Sequence, residues 1–579
     1  MLKKGMWVIG AALTAALSLS AAENSASRRE LTLPFFDAKF GVFIHFGLYS
    51  VPEGEWQGKK EYGEWFQIQT QMPYEEYAKF AAQFNPLKFD AREWVRNIKN
   101  AGVKYMVVTT KHHDGFAMYD TKLTDYNVVR QTPWARDPLR ELAAACGEEG
   151  VMLCFYYSIP DWYSLDFPRQ YSQRWGEVNF HGRPNADADL EKYIAYMKAQ
   201  IREILTNYGP IGALWFDDGG SFEKYSARQR AELIHAREIT DLVHELQPRC
   251  AISDRLGLPA DYDTPEQSIP AGRPSGPFET CMSLNRHWGF NKNDHDWKSP
   301  LTVIRQLVTV SGKGGNYLLG IGAPADGSFP PSEAALILQS VGAWLKINGD
   351  SVYGTTVAPL KRWRWGTLTR KDNILYLHNF RWPADGALTV PLKNTIVSAR
   401  WLGDPSRPLS VTRSERGATV SVPAQMPDEI DTVIALEVEN LDDAVEVPGA
   451  DNLALNAPVE VSSEWAGRDT LKKSHITDGR NETSWAAADG ESAASVTVDL
   501  RAEREVAEIL LDDAPFLRTR KFTVEAADGE GWRVIASGTT IGEEQWLTLE
   551  RPVRARRFRV NIVSASDTPT LAEFQVFGK

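Results

Sequence analysis

The sequence predicts an α/β chain: a (β/α)8-like barrel, then a β-sandwich domain, then a second all-β domain. Three observations lead there. Over roughly the first 350 of its 579 residues, apolar runs of strand length alternate with amphipathic helical stretches, the pattern of a parallel sheet covered by helices. Ionisable side chains stand at the ends of those runs. Beyond Ser351 the helical period disappears, and short alternating segments of β type replace it.

The chain opens with MLKKGMWVIGAALTAALSLSAA, residues 1–22: two lysines, an apolar stretch, then small residues. This is the pattern of a secretory leader, and its apolar core is too short for a membrane span. An exported protein is expected, periplasmic or secreted, without integral membrane association. Strand-length runs follow at FGVFIHF (40–46), VKYMVVTT (103–110), VMLCFYY (151–157), IGALWFD (211–217), RCAISD (249–254) and GNYLLGIG (315–322). Between them lie DAREWVRNIKNAG (90–102), DPLRELAAACGEEG (137–150) and ADLEKYIAYMKAQIREILTNYG (188–209), each closing at or near Gly, the usual helix stop. A doubly wound sheet has the same alternation, but this chain carries none of the Gly-rich dinucleotide or phosphate-loop signatures that accompany one. The barrel is assigned to 23–350. ILYLHNF, LTVPL and TVIALEVE then mark a sandwich over 351–441, and DDAVEVPGADN (442–452) is an acidic linker. Residues 453–579 form another all-β unit, closing with RRFRVNIV and LAEFQVFGK.

Net charge is -12, which argues against nucleic acid as a partner, since phosphate binding needs a basic surface. Cys146, Cys154, Cys250 and Cys281 are widely spaced and form no CxxC; buried thiols are the expectation. The sharper signal is at the strand ends. His45 ends the first run, His112 and His113 the second, Tyr157 the third and Asp217 the fourth, and Arg255 follows the fifth. In barrel enzymes such ends meet at one mouth, where the chemistry occurs.

KFGVFIHFGLYSVPEGEW, KYMVVTTKHHDGFAMYDTKLTDYNVV, TNYGPIGALWFDD and GKGGNYLLGIG, in that order over roughly 31–350, resemble the α-L-fucosidases of glycoside hydrolase family 29. The resemblance implies an incomplete (β/α)8 barrel with a β-sandwich after it, and retaining removal of terminal α-L-fucose from fucosylated glycans, with no metal or other cofactor. NLALNAPV, HITDGRNETSWAA and FQVFG resemble a discoidin-like module (coagulation factor type C). That implies an appendage that binds a glycan or positions the enzyme on one; a purely structural appendage is the other reading. Trp465 and Trp485 are its candidate stacking residues or core, and Asn481-Glu482-Thr483 is a glycosylation sequon that matters in a eukaryotic secretory pathway. Two departures stand out: WFDDGG where the family reads WFDG, and LLGIGAP where it reads LLNVGP. Both point to an altered rim.

Retaining cleavage needs two carboxyl groups about 5–5.5 Å apart. Asp217 falls where the family's nucleophile does, and alternation along ALWFDD turns Asp218 the other way, to the rim or a helix cap. The proton donor is Glu266 in DYDTPEQSIP or Glu279 in GPFETCMSLN; Glu266 matches the family's acid position better, which leaves Glu279 to line the pocket. By resemblance His45, His112, His113, Glu64, Trp56 and Tyr157 surround the sugar, Arg255 supports the carboxylates, and Trp288 and Phe290 pack on the C5-methyl face. His112 and His113 can converge only where the strand has turned into loop. A metal site from His112, His113 and Asp114 would need adjacent residues to converge tetrahedrally, which they seldom do, and the GxSxG elbow of a serine hydrolase is missing. The competing reading is a non-catalytic fucose/galactose-type glycan-binding protein on the same scaffold, which has no use for paired carboxylates.

Overall fold

The computed structural model describes residues 28–168 and 187–578, apart from 223, 271–272, 361–362, 384, 415–416, 448–451, 467, 469, 480–482, 514–515 and 543–544. The leader at 1–22, part of the linker, and Asn481 and Glu482 of the sequon therefore lie outside the described residues. The chain divides into two compact units, Met1–Val357 with Thr369–Lys371 and Ala358–Leu368 with Asp372–Lys579.

In the first unit the apolar runs form parallel strands: β1 (Phe40–His45), β2 (Tyr105–Lys111), β3 (Met152–Ser158), β4 (Ala213–Asp217), β5 (Ala251–Ile252) and β7 (Asn316–Gly322), with β6 (Glu279–Ser283) added from a segment outside those runs. Their order is β5-β4-β3-β2-β1-β7-β6. Every residue of β1, β2, β6 and β7 is buried, because the barrel interior takes one face and helices take the other. Helices Ala91–Asn100, Pro138–Glu149 and Leu190–Thr206 start on Asp90, Asp137 and Asp189, whose carboxylates accept first-turn backbone N–H groups. Inward side chains such as Phe43, Tyr105, Cys154, Trp215 and Leu318 build the barrel core.

The barrel is open between β5 and β6. A chain segment fills that gap: Ser253 bridges Tyr262, Asp263 bridges Phe278 and Glu266 bridges Cys281, all in parallel sense. Pro265 has no N–H to give to a ladder, and Gln267 adopts φ +52°, so the segment stays irregular. It nevertheless brings Glu266 to the edge of the barrel.

The second unit is all β, as expected. Leu375, Leu377, Val390, Val420, Ile434 and Leu436 form one core. A separate core lies around the long antiparallel strands Ala494–Asp512 and Gln545–Ala565. Trp485 is fully buried there, its indole N–H donating to the Ser463 carbonyl, whereas Trp465 is half-buried with the Arg468 guanidinium 6.0 Å from its ring. All four cysteines are buried and free.

Candidate active site

Ala213 and Trp215 of β4 point into the barrel core, and the two-residue period puts Asp217 on the same side at the mouth. Its Oδ2 accepts the Tyr156 hydroxyl at 2.8 Å and lies 3.5 Å from His113 Nε2. Its Oδ1 accepts the Gly219 N–H at 2.9 Å and lies 3.6 Å from Arg255 Nη1. Gly219 has φ +54°, and a Cβ there would stand 2.7 Å from the His113 ring; glycine is what lets this turn close on the carboxylate. Burial works to raise the Asp217 pKa, but His113, which carries a proton in the acid range where this carboxyl would titrate, together with Arg255, the Gly219 N–H and the Tyr156 hydroxyl, outweighs it and holds the carboxyl below its ordinary range. It is an anion. Asp218 turns away to an ion pair with Arg230.

The register of β2 against β3 slips between Thr109 and Lys111, and β2 ends at Lys111. The next two residues therefore leave strand geometry, and both imidazoles converge, with ring centroids 4.3 Å apart. His112 also stacks on Tyr156 at 5.4 Å and lies 5.6 Å from His45. Their neighbours brace the turn: buried Lys111 pairs with Asp161 at 3.1 Å, and Asp114 accepts the Tyr77 hydroxyl at 2.7 Å. Burial pushes the pKa of His45 down to about 3 and that of His113 to about 4, and holds His112 well below its usual value. All three are neutral near pH 7. Among the described residues, Nδ1 of His45, Nδ1 of His112 and Nε2 of His113 are buried without a hydrogen-bond partner, which suits them to hydroxyl groups of a ligand.

The facing wall is a loop, residues 284–298. Gly289 donates its N–H to buried Glu64 at 2.9 Å, and the Asn291 amide donates to the Lys60 and Tyr62 carbonyls at 2.8 and 3.0 Å. Burial raises the Glu64 pKa. Trp288 thereby sits 5.7 Å from His45 and from Phe43. The loop passes this close because β7 carries Gly320 there; a Cβ on Gly320 would stand 2.4 Å from the Trp288 ring.

The two acid candidates lie at opposite ends of the barrel. Glu266 Oε2 accepts from Arg255 Nη2 at 3.0 Å, so one guanidinium reaches both Glu266 and Asp217. Glu279 is the first residue of β6, at the floor, fully buried, accepting the Tyr105 hydroxyl at 2.6 Å and the Trp215 indole N–H at 3.1 Å. It does not line the pocket. Three further expectations need correction. Tyr157 faces outward, its hydroxyl on Gln200 at 2.8 Å; the residue on Asp217 is Tyr156, because alternation through buried Cys154 sets the inward face of β3. Trp56 packs edge-on against Phe66 and Phe80, backing the wall, while Trp65 meets the His113 ring edge-on at 5.3 Å. Phe290 lines a separate cleft with Asp294, Trp297 and Pro324, the chain having crossed the end of β7 at Gly322, where its backbone leaves no space for a side chain. Trp215, under the Arg255 guanidinium at 5.0 Å, was also missed, although its two-residue spacing from Asp217 announced it. Among the described residues there is no cluster of three or more His, Cys, Asp or Glu that could hold a metal ion.

Comparison with known proteins adds the following. The family profile described as Alpha-L-fucosidase matches residues 10–350, and the F5/8 type C domain profile matches 458–574. The plasma alpha-L-fucosidase of Rattus norvegicus is 28% identical over 459 residues, covering 73% of this chain and 94% of that protein. Among solved structures, alpha-L-fucosidase isoenzyme 1 from Paenibacillus thiaminolyticus is 36% identical with a TM-score of 0.64, covering 71% of this chain and 100% of that one. An alpha-L-fucosidase of glycoside hydrolase family 29 from Bacteroides thetaiotaomicron, described as a trapped covalent intermediate in complex with 2-fluoro-fucosyl fluoride, is 31% identical with a TM-score of 0.60, covering 70% and 95%.

Proposed function

The chain belongs to the alpha-L-fucosidase family of glycoside hydrolases, and from that premise we propose that it removes terminal α-L-fucose from glycans with retention, by double displacement through a fucosyl ester of Asp217. Asp217 attacks C1 while Glu266 passes its proton to the departing oxygen. The ionised Glu266 then takes a proton from water, which attacks C1, breaks the ester and frees Asp217. The observation that carries this reading is the guanidinium of Arg255, which reaches the buried anion of Asp217 and the half-exposed carboxyl group of Glu266 together at the barrel mouth. The covalent intermediate described for the Bacteroides thetaiotaomicron relative supports the double displacement.

His45, His112, His113 and Glu64 take the ring hydroxyls. Trp288 presents an apolar face to the C5 methyl, a preference over a 6-hydroxyl sugar worth ~1–3 kcal/mol. The leader directs export, and the C-terminal module holds a glycan or sets the enzyme beside one.

The test is to follow the purified protein on an aryl α-L-fucoside by proton NMR, with α-fucose expected as the first product. β-Fucose appearing first would replace the mechanism by single displacement. Saturable fucoside binding without turnover would replace the enzyme by the glycan-binding reading.

A further inference from the structure

His113 has two ring nitrogens, and the structure leaves each a different task. Nδ1 lies 2.6 Å from Ser158 Oγ, and that hydroxyl lies 2.6 Å from the Pro160 carbonyl oxygen. A carbonyl can only accept, and a serine hydroxyl has one proton to give, so the Ser158 proton goes to Pro160. At 2.6 Å, a lone pair on His113 Nδ1 would then face a lone pair on Ser158; the contact is favourable only if Nδ1 carries the hydrogen. A neutral imidazole with Nδ1–H has a bare lone pair on Nε2. Nε2 is buried, without a hydrogen-bond partner among the described residues, and 3.5 Å from Asp217 Oδ2, which is itself an acceptor. Two acceptors facing each other form a slot for a group that brings a hydrogen.

We infer that Ser158 holds His113 in its Nδ1–H form, so that Nε2 acts as a hydrogen-bond acceptor for the 2-hydroxyl of the fucose joined to Asp217. This rests on the function proposed above. The 2-hydroxyl stands on the carbon next to C1, so when C1 bonds to Asp217 this hydroxyl lies beside the carboxylate, where Nε2 is. As positive charge grows at C1 the hydroxyl becomes a stronger donor, and an acceptor opposite it gains most at the transition state. The other tautomer would do harm twice: its Nε2–H would donate to Asp217 and damp the nucleophile, and it could not accept from the sugar. Ser158 is thus a positioning residue. It and His113 are both fully buried, so bulk water does not compete for either bond. The low pKa that burial imposes on His113, about 4, agrees with a ring that is neutral at working pH.

The test reads the tautomer directly. Long-range proton–nitrogen spectra of full-length protein labelled with 15N-histidine, with His113 assigned by its loss in His113→Gln, should show protonated Nδ1 and bare Nε2. Ser158→Ala should move the proton to Nε2 and lower kcat/KM on α-L-fucosyl fluoride by about ten- to a hundredfold, while Ser158→Thr, which keeps the hydroxyl, should retain both tautomer and rate. Protonated Nε2 in the parent protein would overturn the inference, and that spectrum decides even if the alanine variant fails to fold. An unchanged tautomer in Ser158→Ala, with or without lost stability, would overturn it too, reducing Ser158 to packing. Absence of fucosyl fluoride turnover by the parent protein would instead sink the proposed function and leave the tautomer result standing.

Discussion

Replacing Asp217 by Asn keeps the shape of the side chain and removes the anion. Turnover is expected to fall to about a thousandth or less, with the melting temperature lowered near pH 7, because the favourable surroundings that hold the Asp217 pKa down no longer have an anion to stabilise. Near-parental kcat in Asp217→Asn would end its assignment as nucleophile. For the proton donor, Glu266→Ala should lose activity on poor leaving groups and regain rate with azide, which displaces Asp217 from the fucosyl ester by a second inversion and yields an α-fucosyl azide; rescue of Glu279→Ala instead would reverse the two. Glu279 has a different signature. Burial pushes its pKa up to about 7 from an ordinary 4.5, against the hydrogen bonds from Tyr105 and Trp215. In the unfolded chain it ionises near 4.5, whereas the folded protein holds the proton until about 7. Stability is therefore lost as pH rises from 4.5 to 7, on the order of 3 kcal/mol. Glu279→Gln should relieve that loss: in thermal melts the gap between variant and parent should shift in favour of the variant from pH 4.5 to pH 8. A gap independent of pH would mean that Glu279 does not titrate in this window.

At the scale of elements, the site depends on where regular structure stops. The end of β2 at Lys111 frees two consecutive histidines to face one cavity, and the irregular segment in the gap between β5 and β6 delivers Glu266. The wall loop enters because β7 carries glycine beneath it. Gly320→Val should therefore push Trp288 out of place. The expected result is a kcat/KM on fucosides about ten- to a hundredfold lower, with intrinsic tryptophan emission altered and the far-ultraviolet circular dichroism unchanged. Parental kinetics in this variant would show that the loop does not need that space.

For the molecule as a whole, the barrel concentrates neutral imidazoles and one anion at a single buried mouth, and that has a cost in acid. His45 and His113 have pKa values of about 3 and 4, below the ordinary 6.5. Above pH 6.5 both states are neutral and the stability they permit is intact. As pH falls towards 4 and 3 the unfolded chain takes up protons that the folded one refuses, and stability drops by up to about 1.4 kcal/mol per unit for each ring. Calorimetric melts between pH 7 and 4 should show this acid limb, and it should be shallower in His45→Gln. An identical slope in that variant would remove His45 as a source.

The sequence by itself determined the class of fold and which strand ends carry ionisable side chains, because apolar periodicity and the position of ionisable residues are local properties of the chain. Asp217 and the histidine pair were legible for that reason, and so was the change to all-β structure after the barrel. What the tertiary structure decided was direction. A strand buried on both faces has no polar side to mark its phase, so Tyr156 and Tyr157 are equivalent in sequence and opposite in space. Glu266 and Glu279 lie thirteen positions apart on neighbouring segments, yet one reaches the mouth and the other seals the floor, since that depends on how the irregular segment lies against β6 and on how the sheet closes around the gap.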